Sequence, residues 1–156
     1  MAEKSLFTPP ETIALAAVLD SIIPPSLDGR MPGAGEIGLV ARIEADFASN
    51  DELANVVRVG LAALDAAARE QGAASFPALE PPARAAAVRL QHETDPSLVS
   101  TLLFSTLIGY YEHPQVLVAL GQEPRPPFPA GYAMAPFDPA LLEPVLQRSG
   151  KLYRDG

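Results

Sequence analysis

The stretch "LVSTLLFSTLIGYYEHPQVLVALG", residues 98–121, decides the fold class. Its first part, residues 98–109, is the longest nearly apolar run of the chain, with Ser100, Ser105 and Thr106 inside it. A membrane span needs about 20 apolar residues, so this run is too short to cross a bilayer and reads as a core helix. Asp95 and Pro96 start that helix, which ends near Tyr111, and Pro114 opens a shorter one reaching Leu120 and Gly121. Adjacent helical residues point about 100° apart, so of Tyr110 and Tyr111 one enters the core while the other faces outward.

The upstream segments repeat this helical grammar. Thr8, Pro9, Pro10 and Glu11 supply an N-cap, a proline in the first turn and the acidic partner of a capping box, predicting a helix to about Ile23, where Pro24 and Pro25 stop it. Leu39, Val40, Ile43 and Phe47 fall on one stripe of a second helix. Ser49 with Glu52 forms the capping box of a third, whose stripe is Leu53, Val56, Val57, Leu61, Leu64 and Ala68, ended by Gly72. Pro81 and Pro82 open a fourth, where Ala83, Ala86, Ala87 and Leu90 permit close approach. No segment alternates with period two, so no strand is expected. The class is all-α, an irregular antiparallel helical bundle over residues 1–121, followed by an extended proline-rich C-terminal arm over 122–156 that belongs to the same single domain.

A chain of 156 residues can bury roughly 70% of its unfolded surface, enough for one real core. Eleven basic against 19 acidic groups give a net charge of -8, which disfavours nucleic acid and anionic membranes as partners. The lack of cysteine removes disulfides, thiol nucleophiles, cysteine-ligated clusters and covalent haem attachment. The segment "MAEKSLFTPPE" shows neither paired arginines nor an apolar signal core, so no export signal is read there and a cytoplasmic location is expected.

The motifs for chemistry are thin. "GAGEIG", residues 33–38, matches G-x-G-x-x-G in form, but Met31 and Pro32 precede it instead of a strand, and Glu36 would oppose phosphates; it reads as a glycine-rich helix start. His92 and His113 are the only histidines and neither has a second histidine at metal-ligand spacing; His113 sits at a helix end. No nucleophile elbow is present, and Glu44 and Asp46 lie on different helix faces. No catalytic, cofactor-binding or metal residue is therefore assigned to this chain.

The last part has another character. Five prolines lie between 124 and 136, interleaved with Phe128, Tyr132, Met134 and Phe137. Prolines favour polyproline II, which makes no internal hydrogen bonds, and aromatic and methionine side chains are what interfaces concentrate. "DPALLEPVLQRSG" returns as a short helix with Leu141, Leu142, Val145 and Leu146 on one side, broken or kinked at Pro144. The expected partner-binding residues are Tyr110, Tyr111 and His113 at the helix corner, Pro126, Pro127, Phe128, Tyr132, Met134 and Phe137 in the arm, and Leu152 and Tyr153 in the tail.

"FTPPETIALAAVLDSIIP", "PGAGEIGLVARIE", "GLAALDAAAREQGAASFPALEPPARAAAV", "LIGYYEHPQVLVALG" and "GYAMAPFDPALLEPVLQRSGKLYR", in this order, resemble the gluconate 2-dehydrogenase subunit 3 family over nearly the full length. The resemblance implies a small accessory subunit of a sugar or polyol dehydrogenase, without chemistry of its own. Its partner would be a larger glucose-methanol-choline type flavoprotein that holds FAD, joined in some complexes by a cytochrome c subunit. The resemblance also implies a role in maturation or export of that partner, and a periplasmic location as the alternative to the cytoplasm if a twin-arginine signal has been removed. Two other readings stand beside it: a stand-alone enzyme or small-molecule binder with a pocket near Tyr110, Tyr111 and His113, and a factor that loads FAD into the flavoprotein and leaves.

Overall fold

The computed structural model describes residues 5–125, 128–129, 131 and 136–147. The chain divides into two units, Met1–Pro126 and Pro127–Gly156. The first holds six α-helices: α1 (Pro9–Ile22), α2 (Leu39–Phe47), α3 (Asp51–Glu70), α4 (Pro81–Thr94), α5 (Ser97–Glu112) and α6 (Pro114–Ala119), with a 3-10 turn at Phe76–Ala78. The described residues contain no strand, and the all-α expectation holds.

Helix α1 begins as its sequence requires. The Glu11 carboxylate accepts from the Thr8 backbone N–H at 2.7 Å and from the Thr8 hydroxyl at 2.8 Å, closing the capping box. The predicted stripe of α2 is buried in full: Leu39, Val40, Ile43 and Phe47. For α3 the cap is Asn50 and not Ser49. The Asn50 carboxamide oxygen accepts from Leu53 N–H at 3.2 Å, so the side chain one residue later than expected satisfies the open first turn. Gly72, with a φ of +85°, ends α3 by a Schellman turn in which Gly72 N–H donates to the Arg69 carbonyl and Ala73 N–H to that of Ala68. Asp65 then fixes the 3-10 turn beyond it, accepting from Phe76 N–H at 2.8 Å, and Phe76 is fully buried.

Helix α4 is held more lightly than its alanine pattern suggests. Val88 is its buried residue and Leu90 is exposed, because the helix meets α1, α3 and α5 along its inner side and its outer side faces solvent.

Helix α5 is the hub, packing against α1, α2, α3, α4 and α6. Two close approaches seat it: a Cβ on Gly60 would come within 2.7 Å of the Leu98 Cβ, and one on Gly109 within 2.8 Å of the Arg42 Cδ. Around it lie Leu15, Val18 and Leu19 of α1, Ile43 of α2, Val57 and Leu64 of α3, Leu102 of α5 itself and Val116 of α6. Arg42 adds an ion pair to Glu112 at 2.7 Å, joining α2 to the last turn of α5.

In the second unit, Asp138 accepts from Ala140 N–H at 3.0 Å and caps a 3-10 turn, Pro139–Leu142, which passes into α7 (Glu143–Leu146). The expected short helix is present but changes winding just before Pro144, which occupies the first turn of α7, where its missing N–H costs nothing.

Candidate functional site

The glycine loop faces inward. Gly35 N–H donates to the Asp20 carboxylate at 2.7 Å, Gly33 N–H to Glu36 at 2.9 Å, and Ala34 N–H to the Ile23 carbonyl at 3.0 Å. A Cβ on Gly35 would overlap the Ala16 carbonyl oxygen and lie 2.9 Å from the Asp20 Cγ. The glycines thus permit close approach of backbone to helix α1, not to a pyrophosphate, and the amides a nucleotide would use are taken by the chain's own carboxylates. Gly38, with a φ of +76°, is the residue before α2, so the expected helix start is what the loop builds.

Beside this loop lies a cavity of about 240 Å³ lined by Asp20, Ser21, Pro24, Pro25, Glu36, Pro81, Arg84 and Ala85. Burial pushes the Asp20 carboxyl above its ordinary value; the neighbouring Glu36 adds to the effect, while the Gly35 N–H and Arg84 oppose it. A carboxyl raised in the folded state binds its proton more tightly there than in the unfolded chain. Its contribution to stability is therefore fully present below the ordinary carboxylate range near about 3.9 and is lost as pH rises through the folded value. Asp20→Asn keeps an oxygen for Gly35 N–H and removes the charge. Its stability relative to wild type is expected to be highest at neutral pH and to fall as the pH is lowered toward 4, read from urea unfolding at a series of pH values. A constant difference between the two proteins across that range would show that Asp20 is not raised.

The tyrosine pair splits as its spacing predicts. Tyr110 is 1% exposed, and its hydroxyl donates to the Pro32 carbonyl at 2.8 Å, tying α5 to the glycine loop. Burial, then Tyr111 and Glu36, raise its phenol. Tyr111 meets it edge-on, with centroids 5.3 Å apart, and is half exposed. His113 joins α5 to α6: its N–H donates to the Tyr110 carbonyl and its carbonyl accepts from Leu117, while the ring Nδ1 is enclosed without a hydrogen-bond partner. The corner is thus a joint, with the Tyr110 hydroxyl spent inside it. Neither the Asp20 cavity nor a second groove of about 370 Å³ between α1, α3 and the 3-10 turn is lined by Tyr110, Tyr111 or His113.

That second groove carries Ile13, Ala14, Leu61 and Ala62 with Arg58, Asp65 and Arg69. Its charges are occupied: Arg58 donates to the Leu6 carbonyl at 2.8 Å and lies over the Phe7 ring, and Arg69 pairs with Asp65 at 2.6 Å. No group of three potential metal ligands occurs among the described residues.

What the molecule does present is apolar surface. Along the outer side of α5, Leu103, Phe104, Leu107 and Tyr111 are exposed, and Val118 and Leu120 of α6 are exposed as well. Phe128 and Phe137 of the arm are exposed at 84% and 66%. Pro126, Pro127, Tyr132, Met134, Leu152 and Tyr153 lie outside the described residues.

The family model described as gluconate 2-dehydrogenase subunit 3 matches residues 9–123. The chain belongs to the gluconate 2-dehydrogenase subunit 3 family. The match begins at the first residue of α1 and runs past α6, so it spans every helix of the first unit and stops short of the arm, whose likeness to the family it does not cover. No curated protein and no solved structure matches the chain. Family membership makes this chain an accessory subunit of a dehydrogenase complex. Among the described residues no helix is long and apolar enough to cross a membrane.

For a gluconate 2-dehydrogenase subunit 3 family member the exposed side of α5 matters most, and sequence reasoning missed it. The signal was available: α5 has Glu112 as its only charged residue, and its remaining polar groups are small hydroxyls. A helix without a charged side expects more burial than the neighbouring helices of this unit supply.

Proposed function

We propose that this chain is the non-catalytic small subunit that binds, and stabilises or helps mature, an FAD-carrying large subunit of the glucose-methanol-choline type that oxidises a sugar or polyol. The observation that carries the reading is the arm. From 136 to 147 every residue is exposed, although the segment holds Phe137, Leu141, Leu142, Val145 and Leu146. A segment so apolar gains little by folding with nothing buried, and its sequence makes sense when a partner surface supplies the missing half. Prolines limit the conformations it must give up on docking.

Co-expression with a candidate flavoprotein of the glucose-methanol-choline type, followed by size-exclusion chromatography read at the flavin band, is expected to give one co-eluting, active complex. Deleting residues 127–156 is expected to weaken it at least about fivefold, since the loss of even one interfacial anchor costs more than about 1 kcal/mol. A fully active flavoprotein that elutes apart from this chain and matures without it would refute the assignment. Capture of the FAD-free but not the FAD-loaded flavoprotein would identify the maturation role within it.

A further inference from the structure

We infer that the outer side of α5 is a second docking surface, one that inserts as a half-buried helix into an apolar groove with a basic rim on the large subunit. The inference rests on the proposed subunit role but not on the arm. Leu103, Leu107 and Tyr111 stand at intervals of four residues, and Phe104 flanks them; all four are exposed on a helix that the rest of the unit clamps from the other side. Anchors at this spacing are what helix-in-groove recognition reads. A cluster of large apolar groups on the order of several hundred Å² marks an interaction site on a monomeric protein.

Two features choose the occupant. The first is charge. The chain carries -8; Glu112, the single charged residue of α5, is already paired with Arg42, so the charge that counts is that of the chain as a whole. Two copies laid face to face would bring like charges together, whereas a partner with arginine or lysine around its groove gains by the same field. The second is area. A helix of 16 residues is about 24 Å long, and its outer strip covers far less than the roughly 800 Å² that each side of a stable interface needs. A second copy contributing the same strip cannot make up the difference. A larger partner whose groove walls also reach the flanks of α5 can.

The test uses the full chain and a candidate flavoprotein dehydrogenase of the glucose-methanol-choline type co-expressed with it. Phe104→Glu and Leu107→Glu place a charge on exposed positions, so the fold should survive, and a melting curve like that of wild type confirms it. The milder Phe104→Ser repeats the test should either glutamate variant melt early. Leu90→Glu, about as exposed as Phe104 but on α4, is the control. The expected result is association weakened at least about 30-fold by each α5 variant, as for a central anchor, with Leu90→Glu unchanged, and weaker wild-type binding at high salt. Wild type and α5 variants binding the flavoprotein equally would overturn this docking surface while leaving the subunit role intact. Wild type failing to bind at all would overturn both. A wild-type homodimer that the α5 variants convert to monomer would assign the surface to a second copy and overturn the inference as well.

Discussion

Gly35→Ala is expected to destabilise the isolated protein by about 3 kcal/mol, the upper range for forcing an extra methyl into a packed interior. The new Cβ would overlap the Ala16 carbonyl oxygen and press on the Asp20 Cγ. Carbonyl oxygens of a helix cannot rotate away as a side chain can, so the loop must lift from α1. Lifting it stretches the Gly35 to Asp20 hydrogen bond and the Ala34 to Ile23 bond beside it. For a chain of this length each kcal/mol shifts the melting temperature by about 2–4 °C, so thermal unfolding should move down by about 6–12 °C. A shift under about 2 °C would mean that the loop yields freely and that the glycine is there for another reason.

Tyr110→Ala carries the larger loss, about 4 kcal/mol, within the usual span for deleting a buried aromatic side chain. The ring is enclosed among the core residues and the hydroxyl holds a buried Pro32 carbonyl. Tyr110→Phe separates the two contributions. It keeps the packing and leaves that carbonyl without its donor, at a cost of about 1–3 kcal/mol. Denaturant unfolding of the three proteins measures both. A phenylalanine variant as stable as wild type would show that water replaces the lost donor, and an alanine variant losing under about 1 kcal/mol would show that the corner is not part of the core. Against a total stability of about 5–15 kcal/mol for an ordinary domain, the alanine variant sits near the edge of folding.

The helices were legible because their signals are local. Thr8 with Glu11, the α2 stripe from Leu39 to Phe47, and Pro114 at the opening of α6 each act within a turn or two, and each stands where its chemistry places it. Ser49 and Asn50 are both good caps, and the spacing to Glu52 favoured the wrong one; only the path of the backbone into α3 makes the choice. Leu90 read as a packing residue because amphipathic spacing says which residues share a side, not whether a neighbour covers it. The same gap hid the exposed row on α5. Leu103, Phe104 and Leu107 look like core in sequence, and the lack of a charged side on α5 says that burial is wanted, not whether this unit supplies it. The family resemblance was legible in the segments from Pro9 to Gly121, where the match lies.

The bond between Tyr110 and Pro32 spans 78 positions of sequence, whereas the one from Gly35 to Asp20 spans 15. A chain emerging from the ribosome at about 5–20 residues per second therefore has the short clasp available roughly 4–15 seconds before the long one. In that interval α1 and the glycine loop hold one another while the Pro32 carbonyl waits in water for its donor. Only when α5 arrives is the opening third of the polypeptide locked to the close of its helical unit. The order of synthesis thus makes the tyrosine corner one of the last stitches of the fold, followed by the packing of Val116 from α6.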